Sequence, residues 1–373
     1  MKLTSIVLTT GIFPPDIGGP ASFIPIFANI LVKKGIKVTV ITLTDEDQDD
    51  SNLPYKVIRI NREKTKIIRY ILLINAIVKS AKSSDLIFSN TLAFESAIAS
   101  IVSGKKLVQK IVGDIAWERA NGSGRFLGSL EEYQGNAIDV KSRLTNFYRN
   151  FAVQRSHKII TPSYYLKDIV HGWNYPKNNI DVINNAVEFE DANKIIKKNK
   201  FRIITVARLI PLKGIETILQ TLSNINFDFE YIIIGDGPLE SKLKIMSNSL
   251  NLDTKFLGNI SKKEVANWLR SSDICIQNSS HETMPHVLLE SMENRCPVIA
   301  SRVGGTPEII SHEKNGLLFE HNNIEELLSK IMQIKENNDF RIKLINQGVS
   351  FTREFSDVNM MVEKYIKVIE GLS

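Results

Sequence analysis

The 373-residue chain is predicted to be an α/β protein of two domains, each with a parallel sheet wrapped by helices on both faces. Three observations predict this class. The length exceeds what one hydrophobic core usually supports. Hydrophobic residues make up 43% and charged residues 24% of the chain, which is typical of a globular protein. Strand-like and helix-like segments alternate through both halves, and this alternation produces parallel sheets with helical crossovers.

The first half contains six β-branched runs, each ended by Gly, Asp, Asn or Pro. They predict strands at 3–9, 37–43, 85–89, 107–112, 158–161 and 180–183. Helices are predicted at 20–34, 65–82, 93–102, 143–156 and 164–171. The first of these has Pro20 in its first turn and Gly35 just past its end, where those residues are favoured.

The second half repeats the pattern. Strands are predicted at 201–207, 230–234, 254–257, 274–277, 298–300 and 316–319, and helices at 214–223, 238–250, 262–271, 285–294 and 324–334. The polar segment 188–200 is interpreted as the linker. A last helix over 357–370 is predicted to place Met360, Val362, Tyr365 and Ile366 on its apolar side. The predicted domains are 1–187, with the closing helix 355–373, and 188–354.

Charge and cysteine usage restrict the class of protein. Residues 1–185 carry 24 Lys and Arg against 16 Asp and Glu, a net charge of +8, whereas the remainder carries 23 against 25, a net charge of −2, so the basic character of the chain lies in its first half. Cys275 and Cys296 lie in apolar surroundings, and we expect buried free thiols in a reducing compartment. The N-terminal segment is interpreted as a first strand, since it lacks a signal-peptide cleavage pattern. No run of about 18 apolar residues is present, so no transmembrane helix is predicted.

Ligands of parallel sheets bind in the loops at the carboxyl ends of the strands. After the first predicted strand, Gly18 and Gly19 precede a helix and can bring backbone amides to a phosphate. A strand-to-helix turn that only needs positive φ is the alternative. After strand 230–234, Gly235 and Gly237 again expose backbone.

Two cations and two carboxylates follow other strands of the second half. Arg208 and Lys213 lie between a strand and a helix, where a guanidinium fork and an ammonium suit a diphosphate. Their alternative is a solvated pair of surface cations. Glu282 is predicted in the loop after strand 274–277, and Glu290 inside the next helix. The apolar residues around Glu290 predict a largely buried helix, where a carboxylate needs a hydrogen-bonding partner. Pro285 is predicted as the first helical residue, so that the amides of Thr283, Met284 and His286 face an anion or sugar hydroxyls.

Taken together and in this order, these motifs resemble the family 4 glycosyltransferases of the GT-B fold. The resemblance rests on Gly18-Gly19, on Arg208 with Lys213-Gly214, on the Gly235-Asp236-Gly237-Pro238 turn, and on Glu282 with Glu290, followed by 297–300 and Gly304-Gly305. It covers nearly the whole chain. It implies two Rossmann-like domains facing each other across a cleft, with the last helix crossing back to the first domain.

The resemblance implies a retaining transfer of a sugar from a UDP- or GDP-sugar without a metal ion or other cofactor. Arg208 and Lys213 would neutralise the leaving diphosphate, Glu282 would contact the donor sugar, and Glu290 would hold the ribose. Ile260 is predicted near the base. Gly18 and Gly19 would reach the phosphate or the acceptor. Thr283, Met284, Pro285 and His286 complete the predicted donor site.

One position departs from the family. Where many members carry His-Asp after a strand of the first domain, this chain has Gly113-Asp114. Asp114, with Trp117, is predicted to face the cleft and contact donor or acceptor hydroxyls; the alternative is that Asp114 only caps a turn. The acidic stretch 44–50 contains the DxD pattern of metal-dependent glycosyltransferases of another fold, but it is interpreted as a solvated loop.

The partners predicted are a nucleotide-sugar and a glycan or polyprenyl-linked acceptor, as in polysaccharide or lipopolysaccharide biosynthesis. The helix 65–82 has an apolar centre framed by basic residues, so it fits either an anionic membrane surface or a core position. The expected location is cytoplasmic, with a peripheral position at the inner face of the cell membrane as a hypothesis. An NAD-dependent oxidoreductase would need a G-x-G-x-x-G spacing that is missing here. A non-catalytic nucleotide-sugar binder stays an alternative, whereas nucleic acid is not predicted because no aromatic-basic alternation occurs.

Overall fold

The computed structural model describes residues 2–372 apart from 17, 136–138 and 198. The chain forms two compact units. The first comprises Met1–Asn184 and Asn359–Ser373, and the second comprises Asn185–Val358.

The first unit is a seven-stranded parallel sheet with helices. Its strands are β1 (Ser5–Thr9), β2 (Lys37–Thr44), β3 (Lys56–Asn61), β4 (Leu86–Ser89), β5 (Lys106–Lys110), β6 (Lys158–Thr161) and β7 (Ile180–Val182). Its helices are α1 (Gly19–Lys33), α2 (Lys66–Ala81), α3 (Ala93–Ser103), α4 (Ile115–Gly122), α5 (Leu130–Gly135), α6 (Val140–Arg155), α7 (Tyr164–His171) and, from the end of the chain, α15 (Val358–Glu370). The strand order β3-β2-β1-β4-β5-β6-β7 reverses direction between β1 and β4.

The second unit has a six-stranded parallel sheet. Its strands are β8 (Phe201–Val206), β9 (Phe229–Ile234), β10 (Thr254–Phe256), β11 (Ile274–Gln277), β12 (Val298–Ser301) and β13 (Leu317–Phe319). Its helices are α8 (Ile215–Leu222), α9 (Glu240–Ser249), α10 (Lys262–Arg270), α11 (His286–Glu293), α12 (Thr306–Ile309), α13 (Ile324–Glu336) and α14 (Asn338–Thr352). The order β10-β9-β8-β11-β12-β13 reverses between β8 and β11.

Both sheets are covered on two faces, which explains the apolar runs in the sequence. Strands β8, β9, β11 and β12 are almost entirely buried, and each face packs against its own apolar cluster. Continuous Val and Ile runs are typical of strands buried on both sides. The predicted fold class of two parallel-sheet, Rossmann-like domains is confirmed.

Some predicted details are wrong. Strand β3 and helices α4, α5 and α14 were not predicted, and α6 begins at Val140, three residues before its predicted start. In α15 the buried side chains are Met361, Val362, Tyr365 and Ile369, whereas Met360 is half exposed. The predicted apolar face of this helix was therefore rotated by one residue at its beginning.

Helix α15 belongs to the first unit although it comes last in the chain. Its Tyr365 ring packs against Phe23 and Phe27 of α1 and Phe88 of β4, with centroid distances of 5.4–5.8 Å. Lys34 of the loop after α1 pairs with Glu363 at 3.0 Å. These contacts return the end of the chain to the unit that contains its beginning.

Both cysteines are buried and reduced. Burial in an apolar environment raises the pKa of Cys275 to about 11, which keeps its thiol protonated. The cysteines therefore act as small core residues, as predicted.

Candidate active site

The second unit places its predicted site residues at the reversal of its strand order. Strand β8 pairs with β9 on one side and β11 on the other, so the loops after β8 and β11 diverge and leave a crevice at their carboxyl ends. Arg208 and Lys213 lie in the loop after β8, and Glu282 lies in the loop after β11. The topology therefore brings together residues that are about 70 positions apart in sequence.

Lys213 and Glu282 form an ion pair at this crevice. The Lys213 ammonium donates to Glu282 Oε1, and the two side chains are 18% and 13% exposed. Gln277 Nε2 and Ser279 Oγ donate to the same oxygen, each at 2.6 Å. Three donors thus fix the Glu282 carboxylate, while part of the side chain stays exposed. A group that binds a ligand requires such a fixed position.

The loop that carries Lys213 is held by a glycine. Gly214 has φ of +55°, and a Cβ at that position would collide with Asn278. The buried Asn278 amide donates to the Gly214 carbonyl at 2.9 Å and so joins the β8 loop to the β11 loop. Arg208, by contrast, is exposed.

Glu290 and Ile260, which were predicted to contact the ribose and the base, line one cavity of about 210 Å³. Burial raises the pKa of the Glu290 carboxyl, and the charge of Lys262 opposes that shift. The interpreted linker supplies Glu188 and Glu190 to the same wall. A cavity with apolar sides and carboxylate acceptors suits a planar base with a ribose diol.

The start of helix α11 lies next to Glu282. The helix begins at His286, and Pro285 is the residue before it, so the predicted start is corrected by one position. Met284 is buried, and its sulfur accepts from the Asn185 amide at 3.3 Å. The backbone amides of a helix's first turn point out of its N-terminal end, and Thr283 lies in the loop before that end of α11. The Glu282 carbonyl accepts from the Gly305 amide at 2.8 Å, which ties this loop to the one after β12.

Gly235 and Gly237 are required by chain packing. Both have positive φ, at +121° and +154°, and a Cβ on either would collide with the backbone of Ala207 or Leu209. They let the loop after β9 pack directly against the loop after β8 that contains Arg208. This is a supporting role in addition to the predicted contact with the donor.

In the first unit, Gly18 and Gly19 lie at the start of α1, where Gly18 has φ of +150°. Asp16 of the same loop pairs with Arg62, which lowers the pKa of the Asp16 carboxyl, and Arg62 also pairs with Asp45. Asp50 pairs with Arg59 at 2.8 Å. The acidic stretch that contains the DxD pattern therefore neutralises part of the basic run that follows it.

Asp114 was predicted to contact substrate hydroxyls, but in the structure it is buried and contacts only protein groups. Its side chain is 0% exposed. One carboxylate oxygen accepts from the Ala116 and Trp117 amides and caps α4, and the other accepts from Gln134 and Arg149. All of these partners are protein groups, so the capping alternative describes this residue. Trp117 is also buried, and its indole donates to the Gly128 carbonyl at 3.1 Å.

Sequence reasoning missed Gln277 and Ser279, which hold Glu282. Gln277 is the last residue of a buried strand, where a polar side chain needs a partner, and this was the available signal. It also missed Glu118, whose carboxylate folds back over Gly113. Among the described residues, no helix combines the length and apolar character needed to cross a membrane.

Comparison with known proteins gives matches to two family models. The model of "Glycosyl transferases group 1" matches residues 186–350, and that of "Glycosyltransferase Family 4" matches residues 17–191. An uncharacterised glycosyltransferase of Methanocaldococcus jannaschii is 28% identical over 365 residues, which is 94% of each chain.

A second relative and a solved structure are more distant. The GDP-mannose-dependent monoacylated α-(1-6)-phosphatidylinositol monomannoside mannosyltransferase of Corynebacterium glutamicum is 23% identical, with 89% of this chain and 88% of that protein covered. Anabaena HepE, solved in complex with UDP and glucose, superposes with a TM-score of 0.78 at 19% identity, over 98% of this chain and 99% of the other.

Proposed function

We propose a reaction for this chain on the premise that it belongs to the family 4 glycosyltransferases of the GT-B fold and is therefore a sugar-transferring enzyme. The reaction is a retaining transfer from a UDP- or GDP-sugar to a glycan or lipid-linked acceptor, without a metal ion. The observation that carries it is the Lys213–Glu282 pair beside the cavity of Glu290 and Ile260. One part of this site suits a diphosphate and sugar, and the other suits a nucleoside.

Each charged residue has a role that its surroundings support. Lys213, held by Glu282, and the exposed Arg208 would neutralise the negative charge that grows on the leaving diphosphate. Glu282 and the first amides of α11 would hold hydroxyls of the transferred sugar. Glu290 would accept hydrogen bonds from the ribose, which lets its buried carboxylate carry a charge.

A donor panel tests the proposal. Purified chain is incubated with UDP- and GDP-sugars, and the released nucleotide is measured, since HepE was solved with UDP and the mannosyltransferase relative depends on GDP-mannose. We expect one nucleotide series to be turned over, and to be turned over in the presence of EDTA. Proton NMR of the product anomer tests retention. Release from neither series, with thermal stabilisation by NAD, would overturn the proposal.

An apolar, basic surface of the first unit supports an acceptor at a membrane. It is formed by exposed side chains of α2 and α6, with Ile67 75% and Phe147 61% exposed. Ile68, Ile71, Val140 and Leu144 extend it, and Lys64, Lys66, Lys141 and Arg143 surround it. Ring contacts Tyr70–Phe94 and Phe94–Tyr148 connect the two helices through α3. Apolar residues framed by cations are typical of peripheral binding to anionic lipid.

We propose that this surface docks the enzyme on the inner face of the cell membrane, where a polyprenyl-linked acceptor for polysaccharide assembly would lie. Sedimentation with phosphatidylglycerol-containing vesicles is expected to remove the parent chain from solution. The variant Ile67→Ser/Phe147→Ser should stay in solution and keep its turnover of a water-soluble acceptor. Equal sedimentation with neutral vesicles, or no loss in the variant, would contradict this docking.

A further inference from the structure

Gly113 leaves a space that a residue from the next helix fills. An ideal Cβ at position 113 would collide with Glu118 Oε1, because the Glu118 side chain folds back from the first turn of α4 onto the Gly113 backbone. Glu118 is an exposed residue. The carboxylate therefore stands where a side chain of residue 113 would begin.

This carboxylate lines a cavity of about 130 Å³ at the carboxyl ends of β4 and β5. The cavity is next to the reversal of strand order between β1 and β4, where ligands of such sheets bind. Gly11, after β1, donates its amide to Thr91 Oγ1, after β4, at 2.5 Å, so the loops at this reversal are joined beside the cavity.

Two buried polar atoms on the cavity wall need a partner. Ser89 Oγ and Asn90 Oδ1 have no hydrogen-bond partner within the described chain, and their side chains are 1% and 4% exposed. Buried polar atoms without partners are costly, and a ligand hydroxyl or a water would satisfy them. Arg149 and Trp173 also line the cavity, and the Arg149 guanidinium is held there, 4.1 Å from the Trp173 ring and paired with Asp114.

We propose that Glu118 is a substrate-contacting residue, which accepts hydrogen bonds from a sugar hydroxyl in this cavity and occupies the space left by Gly113. The proposal rests on the proposed function, since it assigns a residue to that reaction. A carboxylate offers acceptors only, so the bound group must be a donor such as a hydroxyl. Glu118→Gln keeps the size of the side chain and replaces an acceptor oxygen by a donor.

The kinetic test compares Glu118→Gln and Glu118→Ala with the parent chain on the donor that the panel selects. We expect kcat/KM to fall about 10- to 100-fold, the range for losing a hydrogen bond to a charged group. Glu46→Gln, an exposed carboxylate in the loop after β2, is the matched control and should be unchanged. The melting temperature separates a contact with substrate from a role in helix α4, since only the latter would lower stability without raising KM.

A double-mutant cycle tests the geometry directly. Gly113→Ala alone should displace the carboxylate and lower kcat/KM as Glu118→Ala does, whereas in the Glu118→Ala background it should add less than about twofold. Independent effects of the two substitutions would overturn the proposal, as would kcat/KM within about twofold of the parent for both Glu118 variants.

The source of the hydroxyl is identified by two measurements on Glu118→Gln. If the donor sugar supplies it, the KM for the donor and the rate of donor hydrolysis without acceptor both change. If the acceptor supplies it, hydrolysis is unchanged and the acceptor KM rises. An inactive parent chain would overturn the proposed function and this inference with it, whereas an active parent with unaffected Glu118 variants would overturn the inference alone.

Discussion

The three donors on Glu282 Oε1 predict strong coupling between the residues of the Lys213–Glu282 pair. We expect Lys213→Ala and Glu282→Ala each to lower kcat/KM on the order of 100-fold, because each removes charge or geometry needed as the diphosphate leaves. The double variant should lose little more than either single variant, since the two residues act as a unit.

A matched control is Lys242→Ala, which removes an exposed lysine paired with Glu216 at 3.4 Å in the same unit. Surface pairs of this kind contribute little. Steady-state kinetics of the two single variants, the double variant and the control, each against the parent chain, measure this coupling. If the losses in kcat/KM for Lys213→Ala and Glu282→Ala multiply fully in the double variant, the two residues act independently.

The Glu290 carboxylate is predicted to lower the stability of the fold and to strengthen donor binding. Burial raises the pKa of its carboxyl, so between the ordinary and the raised value the folded chain holds a proton that the unfolded chain has released. Stability therefore falls as the pH rises through this interval, and the charged carboxylate destabilises the fold at neutral pH. Glu290→Gln should raise the melting temperature at pH 7.5 by on the order of 2 °C.

The same substitution should raise the donor KM about tenfold, since the ribose loses a charged acceptor. In the parent chain the donor KM should rise as the pH falls towards the raised pKa, and Glu290→Gln should remove that dependence. The exposed Glu336→Gln serves as the control for loss of one charge. A lower melting temperature in Glu290→Gln would show that the carboxylate has a stabilising partner in the protein.

At the residue scale, the sequence identified the groups that follow strands but not the groups that hold them. Lys213, Glu282 and Glu290 are recognisable because their chemistry is unusual in a loop or a buried helix. The hydrogen bonds of Gln277 and Ser279 to Glu282, and the position of Glu118 over Gly113, form only after folding. For Glu118, the absence of a side chain at position 113 was visible, yet the direction of a side chain five residues later was not.

At the scale of elements, the cap of α4 gives a test of Asp114. Asp114→Ala removes the cap and leaves the Arg149 guanidinium, 9% exposed, without its carboxylate. Breaking a buried pair on one side costs about 3–5 kcal/mol. Asp168→Ala is the control, since Asp168 pairs with Lys177 at the surface and should cost less than about 1 kcal/mol. Urea unfolding measures both, and equal costs would show that the pair contributes little to stability.

The loops after β9 and β10 give a second test at this scale, because each contains a glycine of positive φ. Gly235→Ala should lower the free energy of unfolding by about 3 kcal/mol or more, because a Cβ there collides with the Ala207 carbonyl. Gly258 also has positive φ, at +64°, but nothing lies within 4 Å of its Cβ position, so Gly258→Ala should cost only about 1 kcal/mol. Chemical denaturation measures the free energy of unfolding of the two variants, of which Gly235→Ala reports the steric collision and Gly258→Ala the backbone strain. A similar loss of stability in both would mean that the loop after β9 shifts to accept the methyl group.

Three of the missed elements, β3, α4 and α5, share a physical cause. Strand β3 lies at the edge of its sheet, and its residues Lys56–Asn61 alternate apolar and polar side chains weakly, with Arg59 facing Asp50. Helices α4 and α5 are short, and α4 depends on the distant partners of its Asp114 cap. The central strands β4, β11 and β12, by contrast, are short but buried along their whole length. Periodicity identifies elements that are buried by their own sequence, and fails for those that neighbouring segments stabilise.

At the scale of the whole molecule, the two units are joined by two covalent crossings of the chain. The chain leaves the first unit after Asn184 and returns to it at Asn359. Each unit has separate apolar clusters and its own sheet, with a reversal of strand order that can hold a ligand. The alternation of segments predicted this division, because each half of the sequence contains enough strands and helices to enclose a core.

This division predicts that the nucleotide stabilises one unit and not the other. The residues assigned to the diphosphate and the nucleoside all lie within Asn185–Val358, so the nucleoside diphosphate that the donor panel selects, UDP or GDP, should stabilise that unit by about 2.7 kcal/mol at about 100 times its Kd. For a unit of this size the corresponding rise in melting temperature is about 5–10 °C. Calorimetry should show one transition that moves and one that does not.

Hydrogen exchange assigns the transition that moves. Amides in the loops after β8 and β11 should become protected by the selected nucleotide, while those of β1, β4 and β5 should keep their rates. Glu290→Gln is the control, because at the same nucleotide concentration its weaker binding should reduce the shift. A single transition that moves as a whole would show that the two units unfold together. Protection confined to the first unit would place the nucleotide at the reversal between β1 and β4, contrary to the assignment of Lys213, Glu282 and Glu290.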